Sequence, residues 1–124
     1  MNIVFKDKEG NVETIFNEIK RDVHALCFTV QVNHDPFMAV MAVDYSFQEI
    51  SMFTKGLSDM KKRIIDQLTF ASYDRTIVIN LTMDNTGHIY SSVIMNASSR
   101  GYLNFKFDFD QSFIDEMFND VCVN

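Results

Sequence analysis

The sequence predicts an α+β fold: an antiparallel β-sheet of six to seven strands, ordered as hairpin, helix and four-stranded meander, with one internal capped helix and a C-terminal helix. Three observations carry that expectation. Apolar and polar residues alternate through 26–32, 77–83 and 102–109, the period of a strand with one buried face. Ser46-Phe47-Gln48-Glu49 has the spacing of a capping box, in which Ser and Glu side chains each satisfy a free backbone N–H at a helix start. Clusters of Asn, Asp, Gly, Ser and Pro separate these segments, as short turns require.

Taken in order, Ile3 to Lys6 is a short strand turned by Glu9-Gly10-Asn11. Val12 to Arg21 reads two ways: Ile15, Phe16 and Ile19 share a helical face, whereas Val12 and Thr14 suit a strand. His24 to Val32 places Leu26, Phe28, Val30 and Val32 on one face, and Asn33-His34-Asp35-Pro36 turns it into a second strand, Phe37 to Val43. Both faces of that second strand are apolar, which predicts cover on each. In the helix after Ser46, Ile50, Phe53, Leu57, Met60 and Ile64 form one apolar stripe, and Lys61 to Arg63 suit its negative end. Gly56 within it costs about 1 kcal/mol against Ala and suggests a close approach by a strand or partner.

The meander follows. Its strands are Asp66 to Ala71, Thr76 to Met83, His88 to Met95 and Tyr102 to Phe109, the last with Leu103, Phe105, Phe107 and Phe109 facing one way. Asp110 is an N-cap for a helix burying Phe113, Ile114, Met117, Phe118 and Val121. Neither an internal repeat nor a linker is visible, so residues 1–124 are expected to form one domain.

Composition narrows the function classes. Twelve Phe and eight Met among 124 residues predict a core of rings and flexible side chains, or an exposed patch of them. A net charge of −6, with eight acids against four bases from Arg63 onwards, disfavours nucleic acid and favours basic partners. The N-terminal stretch is not an apolar signal core and no run is long enough to span a membrane, so a cytoplasmic chain is expected. Cys27 and Cys122, with no C-x-x-C spacing, read as buried free thiols.

The sequence contains no chemistry-bearing motif. His24, His34 and His88 lack metal-ligand spacing, and no nucleophile elbow or phosphate-cradling glycine loop occurs. Asp108 and Asp110 flank Phe109 on one side of an extended chain, but Asp110 fits a cap and Asp108 a polar face better than an acid/base pair. A non-enzyme with no cofactor and no metal is therefore expected.

One resemblance adds to this. The alternating strand Ile77 to Met83, the turn Gly87-His88-Ile89, and Leu103-x-Phe105-x-Phe107 running into Asp110-Gln111-Ser112-Phe113-Ile114 resemble the WapI-type family of bacterial immunity proteins, over about residues 26–121. The first 22 residues carry none of it. The resemblance implies a small cytoplasmic protein that neutralises a cognate polymorphic toxin, often a nuclease, and transfers no catalytic residue. Charge then nominates Asp108, Asp115, Glu116 and Asp120 as contacts for a basic toxin domain. Two other classes compete: a homo-oligomer, such as a homodimer pairing an exposed sheet edge, and a small-ligand carrier. Neither nucleic acid nor membrane is an expected partner.

Overall fold

The structure, a computed structural model, describes residues 2–7, 9, 12–97 and 101–114. Eight strands form in sequence order: β1 (Asn2–Lys6), β2 (Val12–Arg21), β3 (Ala25–His34), β4 (Phe37–Ser46), then after helix α1 (Phe47–Lys61), β5 (Gln67–Ala71), β6 (Ile77–Met83), β7 (His88–Asn96) and β8 (Tyr102–Asp110). They make two antiparallel sheets of four strands, β1-β2-β3-β4 and β5-β6-β7-β8.

This corrects the expected single sheet of six to seven strands. Alternation shows which face of a strand is buried, but not what covers it. Here two sheets, each with one apolar face, cover each other and α1. Phe16 of β2 meets Phe70 of β5 at 5.7 Å between ring centroids, and Tyr45 of β4 stacks on Phe70 at 4.2 Å. Phe53 of α1 stacks on Phe70 at 4.0 Å and touches Phe5 of β1 at 5.9 Å. Phe5 in turn reaches Phe16 at 6.1 Å, so four rings close a loop that joins both sheets to the helix.

The ambiguous segment Val12 to Arg21 is strand. Its pattern is obscured by a bulge between Glu18 and Lys20: Thr14 and Phe16 point inward, while Ile19 stands at the irregularity and is 60% exposed. Phe37–Ser46 forms the expected second strand of the hairpin, but its apolar faces are not both covered. As the sheet's edge it leaves Phe37, Met38 and Val40 mostly exposed.

Helix α1 starts as expected. Ser46 Oγ accepts from Glu49 N at 3.1 Å and Glu49 Oε1 accepts from Ser46 N at 2.9 Å. Ile50, Phe53, Leu57 and Met60 are buried. Ile64 is not part of the stripe, because the helix stops before it. Arg63 takes a left-handed φ of 60°, its N–H bonds Met60 O, and Ile64 N–H reaches Asp59 O. These two bonds are a Schellman ending, and they leave Ile64 exposed. At Gly56 the helix meets β5: a Cβ there would press into the end of the Leu68 side chain.

The C-terminal helix expected from Asp110 is seen only at its start, a 3-10 turn over Gln111–Phe113 with Asp110 accepting from Ser112 N at 2.9 Å. Met117, Phe118 and Val121 lie outside the described residues. Among those residues α1 is the single helix of two turns or more.

An architectural repeat, not legible as sequence repetition, is present. Four strands and a capped helix start occur twice. Tyr45-Ser46-x-x-x-Ile50 and Phe109-Asp110-x-x-x-Ile114 hold the same roles: a buried aromatic ending the fourth strand, a capping oxygen, and a buried isoleucine on the first turn.

Candidate protein-recognition face

The outward face of the second sheet is built by the alternation of β6, β7 and β8. Register sets the residues in rows across the strands. Thr82, Tyr90 and Asp108 lie side by side, and the next row is Thr69, Asn80, Ser92 and Lys106. All of these except Thr69 border an open cleft of about 490 Å³. Its hydrogen-bonding groups are hydroxyls, an amide, an ammonium and a carboxylate, with the half-exposed ring of Tyr90 between them.

His88 stands beside the cleft, against two of its lining residues. Its Nε2 lies 2.5 Å from Asp108 Oδ2, and its ring meets Tyr90 edge-on at 4.7 Å. The preceding turn holds the histidine in place. Asp84 Oδ1 accepts from Thr86 N, from Thr86 Oγ1 and from His88 N at 2.7 to 3.0 Å. The Thr86 hydroxyl is the main reason the Asp84 carboxyl sits below the usual carboxylate range. Gly87 takes φ +88°, where a side chain would be strained and would also meet Gln111 and Arg63. Arg63 Nη1 donates to Asn85 O at 2.7 Å, tying the end of α1 to this turn.

Of the four nominated contact residues, Asp108 stands in the cleft. It is paired with His88, with its side chain 42% exposed. Asp115, Glu116 and Asp120 lie outside the described residues. Asp110 is on the same face of β8 as Asp108 and acts as a cap, its carboxyl lowered chiefly by the Ser112 N–H. The sequence places Asp108 on a polar face and His88 in a turn without metal-ligand spacing, and nothing in it singles out Tyr90. The meeting of His88 and Tyr90 with Asp108 depends on the β7–β8 register, which no local pattern encodes.

Chemically, the face offers donors and acceptors around the half-exposed ring of Tyr90. Among the described residues no Ser, Thr or Cys side chain hydrogen-bonds the His88 ring, and no three His, Cys, Asp or Glu side chains gather as a metal ion would need. Ser91, next to Tyr90, points the other way, into the core. Cys27 is a free thiol on the outer face of the first sheet. It is part-buried rather than buried, and burial, then a hydrogen bond with Asp44, raises its pKa. Cys122 is outside the described residues.

No helix among the described residues is long and apolar enough to cross a membrane. No protein-family model matches the chain, and no curated protein matches it. A crystal structure of trypanosomal MRP1/MRP2 (Trypanosoma brucei) is similar in fold, with a TM-score of 0.55 over 98% of this chain and 79% of that one, at 8% identity. At that identity the likeness concerns the arrangement of strands and helices alone.

Proposed function

We propose that this chain is a non-catalytic protein-recognition domain whose second-sheet face receives a partner. The observation that carries this is the convergence of Tyr90, the His88–Asp108 pair and Lys106 around one open cleft. Tyrosine supplies large contact area at small entropic cost, and such residues dominate the energetics of protein interfaces. Charged groups around it set register and exclude wrong partners. The space between the sheets is filled by Phe rings, which favours surface recognition over carriage of an internal ligand.

In this reading the partner is a basic toxin domain and the chain a cytoplasmic immunity protein of the WapI type. The net charge of −6 would steer a basic partner towards it. Asp108, with Asp115, Glu116 and Asp120 nominated by charge alone, would face that partner.

The reading predicts a basic toxin domain encoded by an adjacent gene, and co-expression of that domain with this chain is the test. Wild type protects the cell, and Asp108→Lys and Tyr90→Ala each lose at least tenfold in affinity, about 1.4 kcal/mol, while keeping the wild-type circular dichroism. The Asp108→Lys loss should shrink as salt is raised. Undiminished protection by both variants rules out this face as the contact.

A further inference from the structure

Sheet edges expose unpaired backbone N–H and C=O groups, and proteins commonly blunt them with charge, proline, bulges or cover. Three of the four edges here are treated that way. β1 carries Lys6, which pairs with Glu13. β8 carries Lys106 and Asp108. β5 is short and lies against α1 at Leu68. The fourth edge, β4, differs. Its run Phe37–Val43 (Phe-Met-Ala-Val-Met-Ala-Val) contains no charge and no proline, and pairs with β3 without a bulge. Phe37, Met38 and Val40 are 67%, 68% and 57% exposed, side chains that solvent alone does not favour.

We propose that β4 pairs antiparallel with β4 of a second copy, across a two-fold axis centred on Val40. The side-chain alternation of an antiparallel pair restricts such an axis to a residue centre. The centre at Val40 matches the uncharged run with itself: Phe37 lies opposite Val43, Met38 opposite Ala42, and Ala39 opposite Met41. Charge selects this edge as well. Each copy carries −6, so any self-association must bring acids together or avoid them. In this register the flanking acids Asp35 and Asp44 face Tyr45 and Pro36, and no acid faces another. The outcome is one eight-stranded sheet across two chains, with Met38, Val40 and Ala42 forming an apolar ladder on its outer face. No residue of the second-sheet cleft takes part, so this inference stands or falls apart from the proposed function.

One strand pair is a small interface, so the dimer should be concentration-dependent, with dissociation in the micromolar range or weaker. Sedimentation velocity of the full chain is expected to show monomer at low micromolar and dimer at several hundred micromolar concentration. Val40→Lys sets two ammonium groups against each other at the axis and should weaken dimerisation at least tenfold, whereas neutral, β-branched Val40→Thr should keep it. The lysine also lowers the net charge repulsion between copies, so association through any other surface would strengthen instead. Hydrogen exchange of the wild type gives a reading free of any mutant: protection should rise with concentration at the β4 amides. A wild type that stays monomeric throughout, a Val40→Lys chain that still dimerises, or β4 exchange independent of concentration overturns the proposal.

Discussion

Gly56→Ala should destabilise the protein, although it improves the helix. Alanine in a helix interior is favoured over glycine by about 1 kcal/mol. Against that stands the contact with β5. A Cβ at position 56 would press into Leu68 Cδ1 and lie 3.1 Å from Cδ2 and 3.3 Å from Cγ. Turning Leu68 about χ2 moves both methyls but leaves Cγ close, so relief requires the side chain to shift about χ1 as well. Overpacking of this kind costs about 1–3 kcal/mol. The net expectation for Gly56→Ala is a loss of about 1 kcal/mol. Trimming the neighbour reverses the sign: in a Leu68→Ala background, Gly56→Ala should stabilise by about 1 kcal/mol, since only the propensity gain remains. Urea unfolding of the four proteins in the cycle measures both values. Equal effects of Gly56→Ala in the two backgrounds, within about 0.5 kcal/mol, would refute close packing as the reason for glycine.

Two further outcomes follow from buried polar groups and caps. The Tyr45 hydroxyl is buried, with no hydrogen-bond partner among the described residues. Removing an unsatisfied buried polar atom is favourable, so Tyr45→Phe should raise stability by about 1 kcal/mol in urea titrations near neutral pH. Burial also pushes the Tyr45 pKa up in the folded chain. A raised folded pKa means that stability is fully present below the unfolded tyrosine value of about 10 and falls as pH rises past it. Wild type should therefore weaken relative to Tyr45→Phe above about pH 10, and parallel pH profiles would refute this. Ser46→Ala removes one arm of the capping box and should lower stability by about 1 kcal/mol, read as a lower thermal midpoint; Ser46→Asp should retain most of it.

Much of this fold is legible because it is local. The inward faces of β3, β6, β7 and β8 follow from period two, and the start of α1 from four consecutive residues. The errors are non-local. Ile19 at the β2 bulge breaks the period, so a strand resembled a helix. Ile64 fits the helical spacing but falls beyond a left-handed Arg63, and no glycine marks that stop. The apolar faces of β4 suggested a covered strand, because hydrophobicity reports the tendency to be buried and not the presence of cover. At the cleft, the polar face of β8 was readable, but the His88–Asp108 pair spans 20 positions and needs the register.

The twofold use of a four-strand meander ending in a cap has a kinetic consequence. Within each half every strand pairs with its sequence neighbour, so loop closures are short and entropically inexpensive. Contacts between the halves, such as Phe16 with Phe70, span far more chain and return nothing until both halves are largely formed. Assembly should then resemble the docking of two preformed leaves hinged at α1, with Phe53 and Phe70 engaging near the rate-limiting step. Truncating either ring would slow folding more than it speeds unfolding.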